Sequence, residues 1–131
     1  MARILLVDDD PVSSRLLCDL LLDAGHAVGW LSDGAEALAV MKRRAPLLAI
    51  LDCAMPGLSG VHVLMAMRNH PSLCSVPVLM LTARQSERDE GIAYGAGADD
   101  YLRKPVDPDR LLGRIDALLL EPPGAQLGMA V

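Results

Sequence analysis

Four short apolar runs in this chain each end on a side chain that can do chemistry. Leu47-Leu48-Ala49-Ile50-Leu51 ends on Asp52, and Arg3-Ile4-Leu5-Leu6-Val7 ends on Asp8-Asp9-Asp10. The run from Val76 to Leu81 ends on Thr82, and one ending near Leu102 delivers Lys104-Pro105. Asp52 opens the loop Cys53-Ala54-Met55-Pro56-Gly57-Leu58-Ser59-Gly60. A carboxylate just past a buried strand, followed by Pro and Gly, is held at a sheet edge where ligands bind. Acids, a hydroxyl and an ammonium brought to the same end of four strands imply a divalent-metal site. The chemistry such a site supports is phosphorylation of a carboxylate.

Short apolar strands alternate with helical patterns along the chain. Strand one is followed by a helix marked by Val12, Leu16 and Leu20, running to about Ala24 and stopped by Gly25. Ala27 to Leu31 is a strand, and Asp33-Gly34-Ala35-Glu36 opens the next helix with capping-box spacing. Strand three spans Leu47 to Leu51; Ser59 caps a helix to about Asn69; strand four spans Val76 to Leu81. Ser86 to about Tyr94 reads as a weak helix containing Gly91, and Asp100 to Arg103 as strand five. Leu111, Leu112, Ile115, Leu118 and Leu119 have the spacing of a final amphipathic helix. Continuous rather than alternating apolar strands belong in a parallel sheet covered on both faces, so the expected fold is α/β, doubly wound and five-stranded.

At 131 residues the chain fits one domain, expected over 1–120, with 121–131 as a tail or linker stub carrying Pro122-Pro123-Gly124. A hydrophobic share of 52% argues against disorder, while no apolar run is long enough to span a bilayer. No basic segment precedes an apolar one at the N-terminus, so no signal peptide is expected. Cys18, Cys53 and Cys74 are odd in number and lack CxxC spacing, which suits a reducing cytoplasm. A net charge of −5 and the absence of Phe exclude a broad nucleic-acid footprint.

Together the motifs resemble one family, the receiver domains of bacterial two-component response regulators (CheY-like). The resemblance covers about residues 2 to 120 and rests on four motifs in order. They are Val7-Asp8-Asp9-Asp10; Leu51-Asp52 with Met55-Pro56-Gly57 and Gly60; Leu81-Thr82-Ala83; and Gly97-Ala98-Asp99-Asp100-Tyr101-Leu102-Arg103-Lys104-Pro105. It implies a flavodoxin-like sheet of order 2-1-3-4-5 and a phosphoryl group accepted by Asp52 from a histidine kinase or phosphotransfer protein. Asp8 and Asp9 then match the acid pair that holds Mg²⁺ (or Mn²⁺) with Asp52, Asp9 directly and Asp8 largely through water. The Ala54 backbone carbonyl completes the ligands. Lys104 matches the lysine that neutralises phosphoryl oxygens, and Thr82 the hydroxyl that bonds one of them. The Lys104-Pro105 bond resembles one that is cis in the family. Thr82 and Tyr101 match the switch pair of the output face, made of the helix from Ser86, strand five and the last helix. Asp100 with Arg114, and Glu90 with Arg110, occupy positions that pair across a phosphorylation-dependent homodimer. Ala54 and Arg84 match positions flanking the path of the hydrolytic water, which implies a moderately long-lived phosphoaspartate.

Other residues have plainer readings. Asp10 before Pro11 is an N-cap, and Asp107-Pro108 repeats the arrangement. His26, His62 and His70 lack metal-ligand spacing; Met65, Met67 and Met80 read as core filling; Arg43-Arg44 ends a helix. The competing enzyme is a phosphohydrolase of the haloacid-dehalogenase type, because Asp8, Asp10 and Val12 match its DxDx(T/V) motif. Thr82, Lys104 and Asp99-Asp100 mimic its other parts. Against it, Lys104 follows the second acidic pair, no cap is accommodated, and Asp52 has no role. A degenerate, phosphorylation-independent domain is disfavoured by the complete site set.

Overall fold

The computed structural model describes residues 2–82 and 95–120. The elements are β1 (Arg3–Val7), α1 (Pro11–Asp23), β2 (Ala27–Leu31), α2 (Gly34–Arg43), β3 (Leu48–Asp52), α3 (Gly60–Arg68), β4 (Val78–Thr82), β5 (Asp100–Arg103) and the last helix, α4 (Pro108–Leu120). Five parallel strands form one sheet of order β2-β1-β3-β4-β5, as the resemblance implies.

Local chemistry sets the helix starts. Asp10 accepts from the Val12 N–H with Pro11 at the first helical position, Asp33 accepts from Ala35, and Ser59 from His62. The Asp107 carboxylate accepts from the Arg110 N–H in the same way. Two cores follow from the alternation of strand side chains. Leu5, Val7, Leu51, Val78 and Met80 pack with Ala37, Met41, Val63 and Met67 on one face. Ile4, Leu6, Ile50, Leu79 and Leu81 pack with Leu17, Leu21, Leu111 and Ile115 on the other. The central strands β3 and β4 are buried at every position, whereas the edge strand β2 is half-buried or exposed throughout.

Four strand boundaries and one burial differ from the sequence reading, β4 ending on Thr82 rather than Leu81 among them. Asp52 is the last residue of β3 rather than the first of the loop, because its register with Leu81 of β4 continues the ladder. β4 starts at Val78 rather than Val76: the Val76 N–H closes a turn onto the Leu73 carbonyl, and Pro77 has no N–H to give. β3 likewise starts at Leu48, while Leu47 is exposed. Met67 and Met80 are core residues, but Met65 is exposed. The weak helix expected from Ser86, with Arg84 and Glu90, lies outside the described residues, as does the tail 121–131.

Among the described residues, no helix is long and apolar enough to cross a membrane.

Candidate functional site

Strand register gathers the site. Val7 pairs with Leu31 and Leu51, Asp52 with Leu81, and Thr82 with Arg103, so all five strands finish at one edge. One residue beyond β1 and β5, Asp8 and Lys104 join Asp52 and Thr82 there. Carboxylate oxygens of Asp8, Asp9 and Asp52 lie within 4.8 Å of one another. Lys104 Nζ donates to Asp8 Oδ2 at 2.9 Å and to Asp52 Oδ2 at 3.4 Å. Thr82 is buried, and its carbonyl accepts from the Lys104 N–H at 2.7 Å. The Lys104-Pro105 peptide is cis.

The loop after Asp52 is built to leave this carboxylate in place. Gly57 turns it at φ +76°. At Gly60 a Cβ would sit 2.0 Å from the Asp52 carbonyl oxygen, so only glycine lets α3 start against the end of β3. The Ala54 N–H then donates to Asp52 Oδ1 at 3.2 Å.

Electrostatics at this edge are unbalanced. Burial, and then the neighbouring Asp8 carboxyl, push the Asp52 carboxyl up to about 6, against the opposing pull of Lys104. Burial acts on Asp8 as well, but hydrogen bonds from Lys104 and the Asp10 N–H hold it below its ordinary value. The Lys104 ammonium, which burial alone would depress, is raised by Asp8 and Asp52. Three clustered carboxylates, two of them paired with this one ammonium, leave excess negative charge among all-oxygen donors, which fits a hard divalent cation.

Sequence reasoning did not single out Trp30, Ser14 or Arg68. Trp30 Nε1 and Ser14 Oγ both donate to the Asp8 carbonyl. Arg68 donates to the Gly97, Cys74 and Val76 carbonyls and, at 2.9 Å, to Asp99 Oδ2. That Asp99 oxygen also accepts from the Val78 N–H, so Asp99 ties the entry of β4 to the loop before β5. The one sequence signal for Trp30 was its being the sole tryptophan, whose N–H seeks a partner. Of the expected dimer-face residues, Arg114 Nη1 meets Asp100 Oδ2 at 2.7 Å within the chain. Arg110 is exposed on α4, and Tyr101 is partly buried against the core. His26 accepts from the Ala2 N–H and His70 from Ser72, while Ser59 Oγ and His62 Nδ1 lie within hydrogen-bond distance.

A fold with this strand order and an acid-lysine cluster at its carboxyl edge defines a class, and the comparisons agree with it. Residues 4–116 match the model of the response regulator receiver domain. The chain belongs to that family. It is 35% identical over 119 residues to protein PilH of Pseudomonas aeruginosa, covering 91% of this chain and 98% of PilH. It is 40% identical over 119 residues to the DNA-binding dual master transcriptional regulator RpaA of Synechocystis, covering 91% of this chain and 49% of RpaA. The chain thus spans about half the length of the DNA-binding regulators it matches. Among solved structures, a response regulator from Chloroflexus aurantiacus superposes with TM-score 0.89 at 34% identity, covering 92% of this chain and 98% of that one. The receiver domain of a sensor histidine kinase from Pseudomonas aeruginosa, which holds a magnesium ion in its active-site cleft, superposes with TM-score 0.86 at 28% identity, covering 92% and 98%.

Proposed function

We propose that this domain accepts a phosphoryl group on Asp52, with Mg²⁺ bound by Asp8, Asp9, Asp52 and the Ala54 carbonyl, and signals by a change of conformation. The observation that carries the reading is the buried Asp52 carboxylate, raised to about 6, with Lys104 Nζ at 3.4 Å and the Asp8-Asp9 pair beside it. A carboxylate made more basic by burial is a better nucleophile yet remains mostly ionised near neutral pH. Asp52 Oδ attacks phosphorus; an acyl phosphate P–O bond forms as the P–N bond of a phosphohistidine donor breaks. The leaving imidazole takes its proton from solvent. Lys104 would offset charge on the phosphoryl oxygens, and the Thr82 hydroxyl would bond one of them. When bound, the cation supplies positive charge that lets two anions meet. Mn²⁺ would satisfy the same oxygen set.

The partner is a sensor histidine kinase or a histidine phosphotransfer protein in the cytoplasm, with no direct contact to nucleic acid or membrane by this domain. Thr82, drawn to the phosphoryl group, would vacate space for Tyr101, coupling the site to the face of β5 and α4. On a homodimer formed there, Arg114 and Asp100 would exchange their bridge within the chain for one across the interface, with Glu90 and Arg110 as a second pair. The tail 121–131 is read as a free terminus or a linker stub. Asp10 caps α1 and Asp99 bonds Arg68, so two of the positions a haloacid-dehalogenase site would use have structural partners.

Intact-mass measurement after incubation with acetyl phosphate and Mg²⁺ tests the reading. One phosphoryl adduct is expected, absent in Asp52→Ala and lost with EDTA. An undiminished adduct in Asp52→Ala would overturn the assignment.

A further inference from the structure

The Asp8 carbonyl is held by two side chains that stand outside the acidic cluster. Trp30 Nε1 donates to it at 2.8 Å from the edge strand β2, and Ser14 Oγ at 3.2 Å from the first turn of α1. The Asp8 N–H still continues the sheet by donating to the Leu31 carbonyl at 3.1 Å. Past this point the chain leaves the ladder, and the Asp8–Asp9 peptide plane is set by these two donors. That plane constrains ψ of Asp8 and φ of Asp9, and with them how the two carboxylates are set relative to each other. Asp8 is fully buried and also gripped by Lys104, whereas Asp9 is exposed and depends more on the plane itself.

We infer that Trp30 is a positioning residue of the metal site, acting through the Asp8 carbonyl to preorganise Asp8 and Asp9. The indole is 44% exposed on an edge strand, so its packing and its hydrogen bond have to be separated by the choice of variant. A donor one shell away from a ligand orients it and raises cation affinity, and its loss is felt as weaker binding rather than as slower chemistry at saturation. This inference rests on the metal-assisted phosphoacceptor reading.

Calorimetric titration of Mg²⁺ into wild type and Trp30→Phe decides it, because Phe keeps an aromatic ring on the strand while removing the donor. The expected rise in Kd is about fivefold to tenfold, with phosphorylation at saturating Mg²⁺ within about twofold of wild type. Equal Kd values in the two proteins would overturn the inference. Wild type supplies a second readout that needs no variant. Trp30 is the chain's one tryptophan, so its emission should change saturably with the calorimetric midpoint. Flat emission while binding heat is measured would also overturn it. A wild type that binds no Mg²⁺ would instead bring down the metal reading on which it rests.

Discussion

Replacing Asp52 with Asn should stabilise the metal-free domain. Burial and the Asp8 carboxyl lift Asp52 from an ordinary 3.8 to about 6, so the folded state binds a proton more tightly than the unfolded chain. The unfolded chain therefore binds fewer protons in that window, and stability falls as pH rises from about 4 through about 6. Asp8 shifts the opposite way and loses its contribution only at acid pH, while Lys104 is raised and loses its contribution only at alkaline pH. Between pH 5 and pH 8, Asp52 thus dominates the cluster's pH dependence. A gap of about two units at 1.36 kcal/mol each gives about 3 kcal/mol as the upper size of the effect. Asn keeps an oxygen for the Ala54 N–H but gives Lys104 a weaker partner, so about 2 kcal/mol is the expected net gain at pH 8. For a domain of this size that is about 8 °C in Tm. Urea denaturation in EDTA should show Asp52→Asn ahead of wild type at pH 8, with the gap closing toward pH 5. Mg²⁺ should narrow the gap at pH 8 by stabilising wild type more, by about 1.4 kcal/mol for each tenfold excess over Kd. A variant no more stable than wild type in EDTA at pH 8, or a gap independent of pH, would refute the reasoning.

Asp10→Ala should cost about 1 kcal/mol in urea through loss of the α1 cap while leaving Asp52 phosphorylation intact; loss of phosphorylation at full folding would favour a phosphohydrolase-like role for Asp10. Gly60→Ala should cost about 3 kcal/mol or more, since its Cβ meets the Asp52 carbonyl oxygen at 2.0 Å, and a wild-type urea midpoint would show that the α3 start can shift. Ala54→Asn should shorten the phosphoaspartate half-life by offering a group that orients water; faster loss from wild type would give the reasoning the wrong sign. Light scattering with beryllofluoride should show a dimer in wild type and a monomer in Arg114→Asp, whereas a monomer throughout would remove the dimer and leave the family assignment untouched.

What sequence could and could not show divides along the range of the interactions. Asp52, Asp8 and Lys104 were legible because each follows a short apolar run, and parallel strands deliver such residues to one edge. The helix starts at Asp10, Asp33, Ser59 and Asp107 were legible because capping is local. The role of Trp30 was not, because its partner carbonyl on Asp8 stands 22 residues away and the bond depends on the register of β1 with β2. Arg68 was not singled out, because it bonds carbonyls on two loops that only the tertiary fold brings to it. The start of β4 was misjudged because Val76 is buried and apolar like a strand residue, while its N–H belongs to a turn.

The central claim is most directly tested by locating the phosphoryl group rather than counting it. Borohydride reduction of an aspartyl phosphate converts that one residue to homoserine, which peptide mapping reads by mass. After treatment with acetyl phosphate and Mg²⁺, conversion is expected at Asp52 alone and should vanish when EDTA replaces Mg²⁺. Conversion at Asp8, Asp9 or Asp10 with Asp52 unmodified would contradict the account.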